Sequence, residues 1–261
     1  MNSGTDVVTI GGVSVDKQAV ELATNISSTF VADVGSNGLL GLAFSKLNTV
    51  APTQQKTFFD NAIPNLKEPV FTADLRPNAV GAYEFGNIDS TKFNGTLQWA
   101  PVNNTRGFWQ FSTSKFSVAG ATTNSPGAQA IADTGTTLML TSAAIVNAYY
   151  SAVPGAVNDA QVGGVTFPCA STLPDLQVDV GGAFMATIRG TDINFAPVDQ
   201  AGTSTISLSF PPCMLLLMKI ACFGGVQAIA SNLQIYGDIF FKSQFVVFNA
   251  GNNTLGMAPH L

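Results

Sequence analysis

The sequence predicts a mostly β fold, because short runs of alternating or β-branched apolar residues recur along its 261 residues. The first example pairs Val7–Ile10 with Val13–Val15 across a Gly11-Gly12 turn, which predicts a hairpin. Helical patterns do not alternate regularly with the strands, so a doubly wound parallel sheet is not indicated. The fold class expected is therefore all-β with a few short helices.

The remaining elements follow in chain order. The second strand of the hairpin is predicted to continue over residues 18–23, and a short helix is predicted over 54–66, near Pro64. A further helix is predicted to begin with a cap at Thr141-Ser142 and to reach Tyr150. Alternation or β-branched content predicts the other strands, over residues 70–75, 81–88, 95–102, 109–118, 176–180, 183–189, 193–195, 245–249 and 254–258.

One acidic motif stands out within this β pattern. Asp133-Thr134-Gly135-Thr136-Thr137 lies between the apolar runs 130–132 and 138–140. A carboxylate at the end of a buried strand is costly unless it is hydrogen-bonded or shares a proton with a neighbour. The pattern therefore favours a functional Asp133, with an ordinary turn Asp before Gly as the alternative.

A second motif, two apolar residues followed by Gly, occurs twice. It is present at Leu39-Leu40-Gly41 and again at Ile235-Tyr236-Gly237, about a hundred residues after Asp133. The Asp-Thr-Gly motif occurs once. Asp238 follows the second copy, and its position there favours a structural role over a catalytic one.

Taken together, these motifs resemble those of pepsin-like aspartic endopeptidases, most closely the secreted fungal acid proteases. Thr57-Phe58-Phe59-Asp60 and the segment 83–89 (Tyr-Glu-Phe-Gly-Asn-Ile-Asp) extend the resemblance to nearly the whole chain. It implies two similar all-β lobes, each contributing one Asp-Thr/Ser-Gly loop. The two Asp residues hold a water between them and hydrolyse peptide bonds at acidic pH, so Asp133 would be one of the two catalytic Asp.

The resemblance also implies a division of the chain. Residues 93–261 would be a complete C-terminal lobe, and 1–92 the remainder of an N-terminal lobe with the strands that join the lobes. The spacing of the motifs places the first catalytic loop and the flap upstream of Met1, so we expect an N-terminally truncated protease. The alternative is a catalytically incomplete half-site that at most binds extended peptides. A monomer is implied, and self-association through two copies of Asp133 is a further possibility.

Roles for the loop residues follow from the same resemblance. Thr134 would support the loop, and Gly135 and Thr136 would bind the backbone of a peptide or protein substrate, since an extended strand needs donors and acceptors beside it. Plain turn chemistry is the alternative for all three. Three isoleucines are candidates for apolar subsites, although core positions are favoured for them: Ile131, Ile235 and Ile239.

The sequence contains three cysteines, an odd number, so they do not all pair within the chain. The resemblance pairs Cys169 with Cys222 as a disulfide, which leaves Cys213 over. Cys213 lies within residues 206–221, an apolar insertion relative to the family that contains Pro211-Pro212. We hypothesise that this insertion is translated intron sequence; a transcript that is continuous through these codons after splicing would refute it. The segment is too short for a membrane helix.

Composition narrows the function classes. With 11 Lys and Arg and a net charge of −5, nucleic acid and anionic membrane partners are not expected. Few carboxylates suit a protein that must stay folded in acid. The start of the chain shows no signal peptide, so an extracellular location is implied by the resemblance alone. Glycosylation sequons occur at Asn25, Asn94, Asn103 and Asn252.

Other chemistries have less support. The single His, His260, is expected at a frayed terminus, so Ser-His-Asp and Cys-His sites are not indicated. One His and scattered Cys do not make a zinc site, and no Gly-rich loop matches a phosphate cradle. We expect neither a metal nor a cofactor.

Overall fold

The computed structural model describes residues 2–198 and 220–261, and its fold is mostly β as predicted. The strands are β1 (Asn2–Ile10), β2 (Val13–Leu22), β3 (Val70–Asp74), β4 (Ala82–Phe85), β5 (Gln98–Pro101), β6 (Gln110–Ser112), β7 (Lys115–Val118), β8 (Ala121–Asn124), β9 (Gln129–Ala132), β10 (Met139–Thr141), β11 (Val157–Asp159), β12 (Gly164–Pro168), β13 (Leu176–Val180), β14 (Phe184–Ile188), β15 (Asn194–Val198), β16 (Ala221–Gly224), β17 (Val226–Ala228), β18 (Leu233–Tyr236), β19 (Gln244–Asn249) and β20 (Thr254–Pro259).

The helices are short. They are α1 (Ser28–Ala32), α2 (Phe58–Ala62), α3 (Ala143–Ser151), α4 (Gly190–Ile193) and α5 (Asp238–Phe241), and 3-10 turns cover Ser45–Leu47, Ile63–Asn65 and Ser90–Lys92. The α3 start is capped as predicted, because the Ser142 hydroxyl accepts the Ile145 N–H at 3.4 Å. The helix predicted over 54–66 is shorter than expected: it is α2 (Phe58–Ala62), and Thr57 is its N-cap.

One five-stranded sheet, in the order β4-β3-β19-β20-β5, links the first part of the chain to its end. All its pairings are antiparallel. Phe71 on β3 stacks on Phe248 of β19 with ring centroids 4.3 Å apart, and Trp109 meets both rings edge-on. Stacked and edge-on aromatic pairs add to the stabilisation that comes from burial, so this cluster anchors the base of the cleft described below.

A second five-stranded sheet, in the order β17-β10-β18-β9-β6, carries both motifs found around Asp133. Strand β18 lies between β9 and β10, parallel to β9 and antiparallel to β10. The chain segment that joins β9 to β10 is the Asp133–Leu138 loop. The apolar-apolar-Gly strand therefore passes directly beneath the acidic loop, although about a hundred residues separate the two in sequence.

Two four-stranded sheets and the β1-β2 hairpin complete the fold. In the sheet ordered β11-β12-β16-β15, a disulfide joins Cys169 to Cys222, which confirms the predicted pair. The other sheet has the order β14-β13-β7-β8. Cys213 and the proposed insertion up to residue 219 lie outside the described residues, and Ala221 already belongs to β16.

Several sequence predictions were wrong in detail. The strand predicted over 109–118 is two strands in different sheets, because β6 pairs with β9 and β7 with β13. Ile193 ends the helix α4 instead of starting a strand. The first apolar-apolar-Gly copy, for which no element was predicted, lies outside the strands, and Leu39 and Leu40 are 81% and 48% exposed.

His260 is not at a frayed terminus. Its side chain is buried, its Nε2 lies 3.0 Å from the Phe241 carbonyl oxygen, and its Nδ1 lies 3.0 Å from Asp74 Oδ1. Strand β20 extends to Pro259, and His260 forms a bridge with Phe93. Pairing on both sides of the C-terminal strand holds this residue in place.

Candidate active site

Asp133 stands where the sequence analysis expected it, at the end of a buried strand. It follows β9 directly, and its backbone N–H donates to the Tyr236 carbonyl oxygen at 3.1 Å. Ala132 and Tyr236 are partners in the parallel β9-β18 pairing. The position of Asp133 is therefore fixed by a strand on each side of its loop.

Both carboxylate oxygens of Asp133 accept hydrogen bonds from its own loop. The Gly135 N–H donates to Oδ1 at 3.0 Å, and the Thr136 hydroxyl donates to Oδ2 at 2.7 Å. Gly135 is exposed and Asp133 is half-buried. The carboxylate is thus oriented, with a polar partner on each oxygen, and one side of it faces solvent. The Thr136 hydroxyl hydrogen is committed to Asp133.

Gly237 allows the loop and the crossing strand to approach each other. A Cβ atom on this residue would overlap the backbone oxygens of Thr136 and Leu138. With no side chain in the way, the next N–H group, that of Asp238, donates to the Thr136 oxygen at 2.8 Å. The glycine of the apolar-apolar-Gly motif is therefore required for contact with the acidic loop.

A cleft of about 540 Å³ opens in front of Asp133, Thr134 and Gly135. Residues 39–43, which contain the first apolar-apolar-Gly copy, line the same cleft, so this motif and the single Asp-Thr-Gly loop share one site. Aromatic and aliphatic side chains line most of the remainder: Ile10, Phe71, Tyr83, Phe85, Phe108, Trp109, Ile131 and Phe248. An apolar cleft with a few convergent polar groups is the usual form of a ligand site.

The three candidate isoleucines separate in the structure. Ile131 lines the cleft, whereas Ile239 is fully buried in the core and contacts the region of Gly225. Ile235 is half-buried and pairs with Ile131 in the β18-β9 register. Of the three, Ile131 alone lines the cleft.

Two ionisable groups near Asp133 are perturbed. Burial raises the pKa of Asp238 to about 6; Lys242 opposes this shift and Asp133 adds to it. Burial also raises the pKa of the Tyr83 phenol, against the effect of a hydrogen bond with Thr134. Perturbed groups that cluster in a cleft are typical of functional sites.

Sequence reasoning missed several residues of the cleft. Tyr83 was taken as part of a strand, yet it faces Thr134, and Trp109 fixes the 39–43 segment by donating from Nε1 to the Leu42 oxygen at 2.9 Å. An exposed Tyr and a buried Trp carry no local signal of a site in a sequence rich in aromatic residues. Their contacts depend on residues 51 to 67 positions away in the chain.

A buried polar network supports the crossing strand from behind. The Tyr236 hydroxyl and Thr113 Oγ1 are 2.9 Å apart, and Ser114 donates from both N and Oγ to Asp179 Oδ2, each at 2.8 Å. Tyr236 and Asp179 are fully buried. Because buried polar groups are costly when unpaired, the Thr113–Tyr236 hydrogen bond helps to hold β18 in place beneath Asp133.

Residues 2–198 and 220–261 contain no group of three or more His, Cys, Asp or Glu side chains arranged to hold a metal ion. Within the same ranges, no helix is both long and apolar enough to cross a membrane.

Comparisons with known proteins agree on one family. The family model described as eukaryotic aspartyl protease matches residues 2–260. The chain is 47% identical to penicillopepsin-3 of Penicillium janthinellum over 255 residues, which cover 97% of this chain and 60% of that protein. It is 45% identical to aspergillopepsin-1 of Aspergillus oryzae over 254 residues, covering 97% and 60%. Endothiapepsin of Cryphonectria parasitica is 44% identical over 256 residues, covering 97% and 57%. The chain thus spans about three fifths of the length of these relatives.

Proposed function

Because the chain belongs to the eukaryotic aspartyl protease family, we propose that it acts in the hydrolysis of peptide bonds at acidic pH, with Asp133 as one of two catalytic Asp. The observation that carries the proposal is the geometry of Asp133. Its carboxylate is oriented by Gly135 and Thr136, faces a cleft, and is held from below by the crossing strand β18.

The chemistry requires a pair of carboxylates. One ionised carboxylate takes a proton from a water as that water attacks the peptide carbonyl, and the protonated partner donates to the carbonyl oxygen. Aspartic proteases are themselves the type case for two carboxyl groups that share one proton. Such a pair titrates as a unit.

The second carboxylate of the pair is expected from a matching Asp-Thr/Ser-Gly loop. The 261 residues contain one Asp-Thr-Gly, so we propose that the partner comes from outside them, either from a longer polypeptide or from a second copy of this chain. We keep Asp238 as a structural residue, since its backbone N–H is bound to the Thr136 oxygen at the base of the loop.

The other loop residues support peptide binding in this proposal. The exposed Gly135 lines the cleft beside Asp133 and leaves room for a substrate backbone. The Thr136 hydroxyl donates its hydrogen to Asp133 and so orients the carboxylate. In its proposed contact with substrate, this hydroxyl oxygen can therefore act only as a hydrogen-bond acceptor. Thr134, which lines the cleft beside Asp133, keeps its proposed role in supporting the loop. The apolar lining of the cleft favours apolar side chains around the scissile bond.

Acid proteolysis tests the proposal. The purified chain is incubated with a denatured protein at acidic pH beside the variants Asp133→Asn and Asp16→Asn. Asp16 is exposed on β2 and has no ion pair or side-chain hydrogen bond among the described residues, which makes it a matched control. Cleavage that is lost in Asp133→Asn and kept in Asp16→Asn supports the proposal. Cleavage that survives in Asp133→Asn contradicts it.

A second candidate function is peptide binding without catalysis. It is favoured by the presence of a single Asp-Thr-Gly carboxylate in an apolar cleft. Trp109 lines this cleft and is one of two tryptophans, the other being Trp99. In a Trp99→Phe background, an extended apolar peptide should change Trp109 fluorescence. A saturable change with no cleavage supports this candidate, and no change argues against it.

We further propose the domain division at residues 92 and 93 and an extracellular destination. The relatives are fungal proteases of the pepsin type, and the small share of charged residues, 10%, limits the stability lost when carboxylates protonate in an acidic medium. Fractionation of a culture that expresses the natural gene tests the destination: protein confined to the cells would contradict it. Limited proteolysis tests the division, since a stable fragment beginning near residue 93 is expected.

A further inference from the structure

The four glycosylation sequons differ in how the fold orients the asparagine side chain. An Asn-X-Ser/Thr sequon marks a possible N-linked oligosaccharide, which is bulky and needs a surface position. Asn25, Asn94, Asn103 and Asn252 are all exposed. Exposure therefore does not distinguish the four sequons, whereas the orientation of each asparagine's amide group does.

Asn252 lies in the turn between β19 and β20, and its amide is held by the sequon itself. The Thr254 hydroxyl donates to Asn252 Oδ1 at 2.6 Å. Because the amide group is planar, a bound Oδ1 directs Nδ2 away from that contact. Within residues 2–198 and 220–261, Nδ2 makes no hydrogen bond. The nitrogen that would carry a glycan is thus presented to solvent.

Asn103 shows the same arrangement on a neighbouring turn. Its Oδ1 accepts the Thr105 N–H at 3.0 Å, and its Nδ2 makes no hydrogen bond in the described part of the chain. The two turns are tied together, because Asn104 Nδ2 donates to Asn253 Oδ1 at 3.0 Å and the Val102 N–H donates to the Asn253 oxygen at 2.9 Å. The contact between the turns thus uses Asn104 and Asn253, the middle residues of the two sequons, and does not involve the side chains of Asn103 and Asn252.

The other two sequons lack this geometry. Asn94 already uses its Nδ2, which donates to the His260 oxygen at 3.3 Å, beside the bridge between Phe93 and His260. Asn25 makes no side-chain hydrogen bond with the described residues and lies in a loop without strand or helix.

We propose that Asn103 and Asn252 are N-glycosylated, so that two oligosaccharides leave the same end of the β4-β3-β19-β20-β5 sheet. The inference rests on the proposed passage through the secretory pathway. Exposed turns are the preferred sites of proteolytic nicking. Glycans there would shield the paired turns of a protease that is secreted into a medium containing proteases, its own included.

The experiment imposes the secretory route, so that its result does not depend on the natural destination or on catalysis. The chain is produced behind a cleavable secretion leader in a yeast that attaches N-glycans, and the secreted fraction is collected. Enzymatic release of the glycans converts each modified Asn to Asp, and mass spectrometry then reads occupancy at the four sequons. High occupancy at Asn103 and Asn252, with lower occupancy at Asn94, is the expected result.

Matched variants assign each glycan to its sequon. Thr254→Ser keeps both the sequon and the hydroxyl and should keep the glycan, whereas Thr254→Ala should lose one glycan's mass. Asn103→Gln should lose the other. Secreted chain that is unmodified at both positions, or modified equally at Asn94, overturns the inference. If secretion is too poor, the same occupancies are read on the glycoprotein fraction retained in the cells, with the same criteria.

Discussion

The charge of Asp238 gives a pH-dependent prediction that can be worked from the structure. Asp238 is half-buried at the start of α5, and its side chain makes no hydrogen bond with the described residues. Burial raises its pKa to about 6 from the ordinary value of 3.8. Replacement by Asn keeps the shape of the side chain and removes the charge, so it isolates the cost of ionising this group in the folded state.

The sign follows from proton binding. Between pH 3.8 and about 6 the folded state keeps a proton that the unfolded state has released, so the free energy of unfolding falls as pH rises through this window. A shift of about two pKa units corresponds to a ceiling of roughly 3 kcal/mol. Partial exposure of the carboxylate to solvent screens this interaction, which leaves about 1–2 kcal/mol.

Thermal unfolding at two pH values is the assay. At pH 7, Asp238→Asn should melt about 2–8 °C higher than the parent chain, and at pH 3 the two should melt together. Asp89→Asn is the control of opposite sign, because the Thr91 hydroxyl and N–H hold the pKa of Asp89 below its usual value. That variant should lose stability at pH 7 and little at low pH. An Asp238→Asn difference that is equal at both pH values would refute the reasoning.

Two further changes test the support of the site. Gly237→Ala forces a Cβ against the Thr136 and Leu138 oxygens, so we expect the free energy of unfolding in urea to fall by more than about 3 kcal/mol. The control is Gly4→Ala, which has no atom near its Cβ and should lower the same free energy by less than about 1 kcal/mol. Equal losses in the two variants would contradict the close approach at Gly237. Cys169 and Cys222 are 53 residues apart, so replacing both with Ala should cost about 4 kcal/mol by loop entropy. A reductant should then destabilise the parent chain but not the double variant, and a cost below about 1 kcal/mol would argue against that contribution.

Local patterns predicted many of the elements. The Gly11-Gly12 hairpin, the Ser142 cap and the paired strands β3 and β4 all appear where propensity and turn chemistry indicated. These features depend on contacts within a few residues, which a sequence read in short windows captures. The strand predicted over 109–118 was divided because the chain changes sheets at Thr113, and no local pattern records that change.

In the candidate site, too, the residues fixed by local contacts were predicted and those placed by long-range packing were not. Asp133 and its loop were predicted from the motif, and the hydrogen bonds from Gly135 and Thr136 are local. Tyr83 and Trp109 were missed, because their side chains meet the cleft through long-range packing. His260 was misplaced for a related reason, since its burial depends on Asp74 and Phe241.

The sequence by itself determined that the chain is mostly β, that Asp133 ends a buried strand, and that Gly237 follows an apolar pair. These are properties of short segments, set by alternation, turn residues and the cost of a buried charge. Only the tertiary structure decided that β18 passes between β9 and β10, and that residues 39–43 line the same cleft as Asp133. The physical reason is that strand order depends on pairing and packing between segments distant in sequence, which satisfy the backbone hydrogen bonds together.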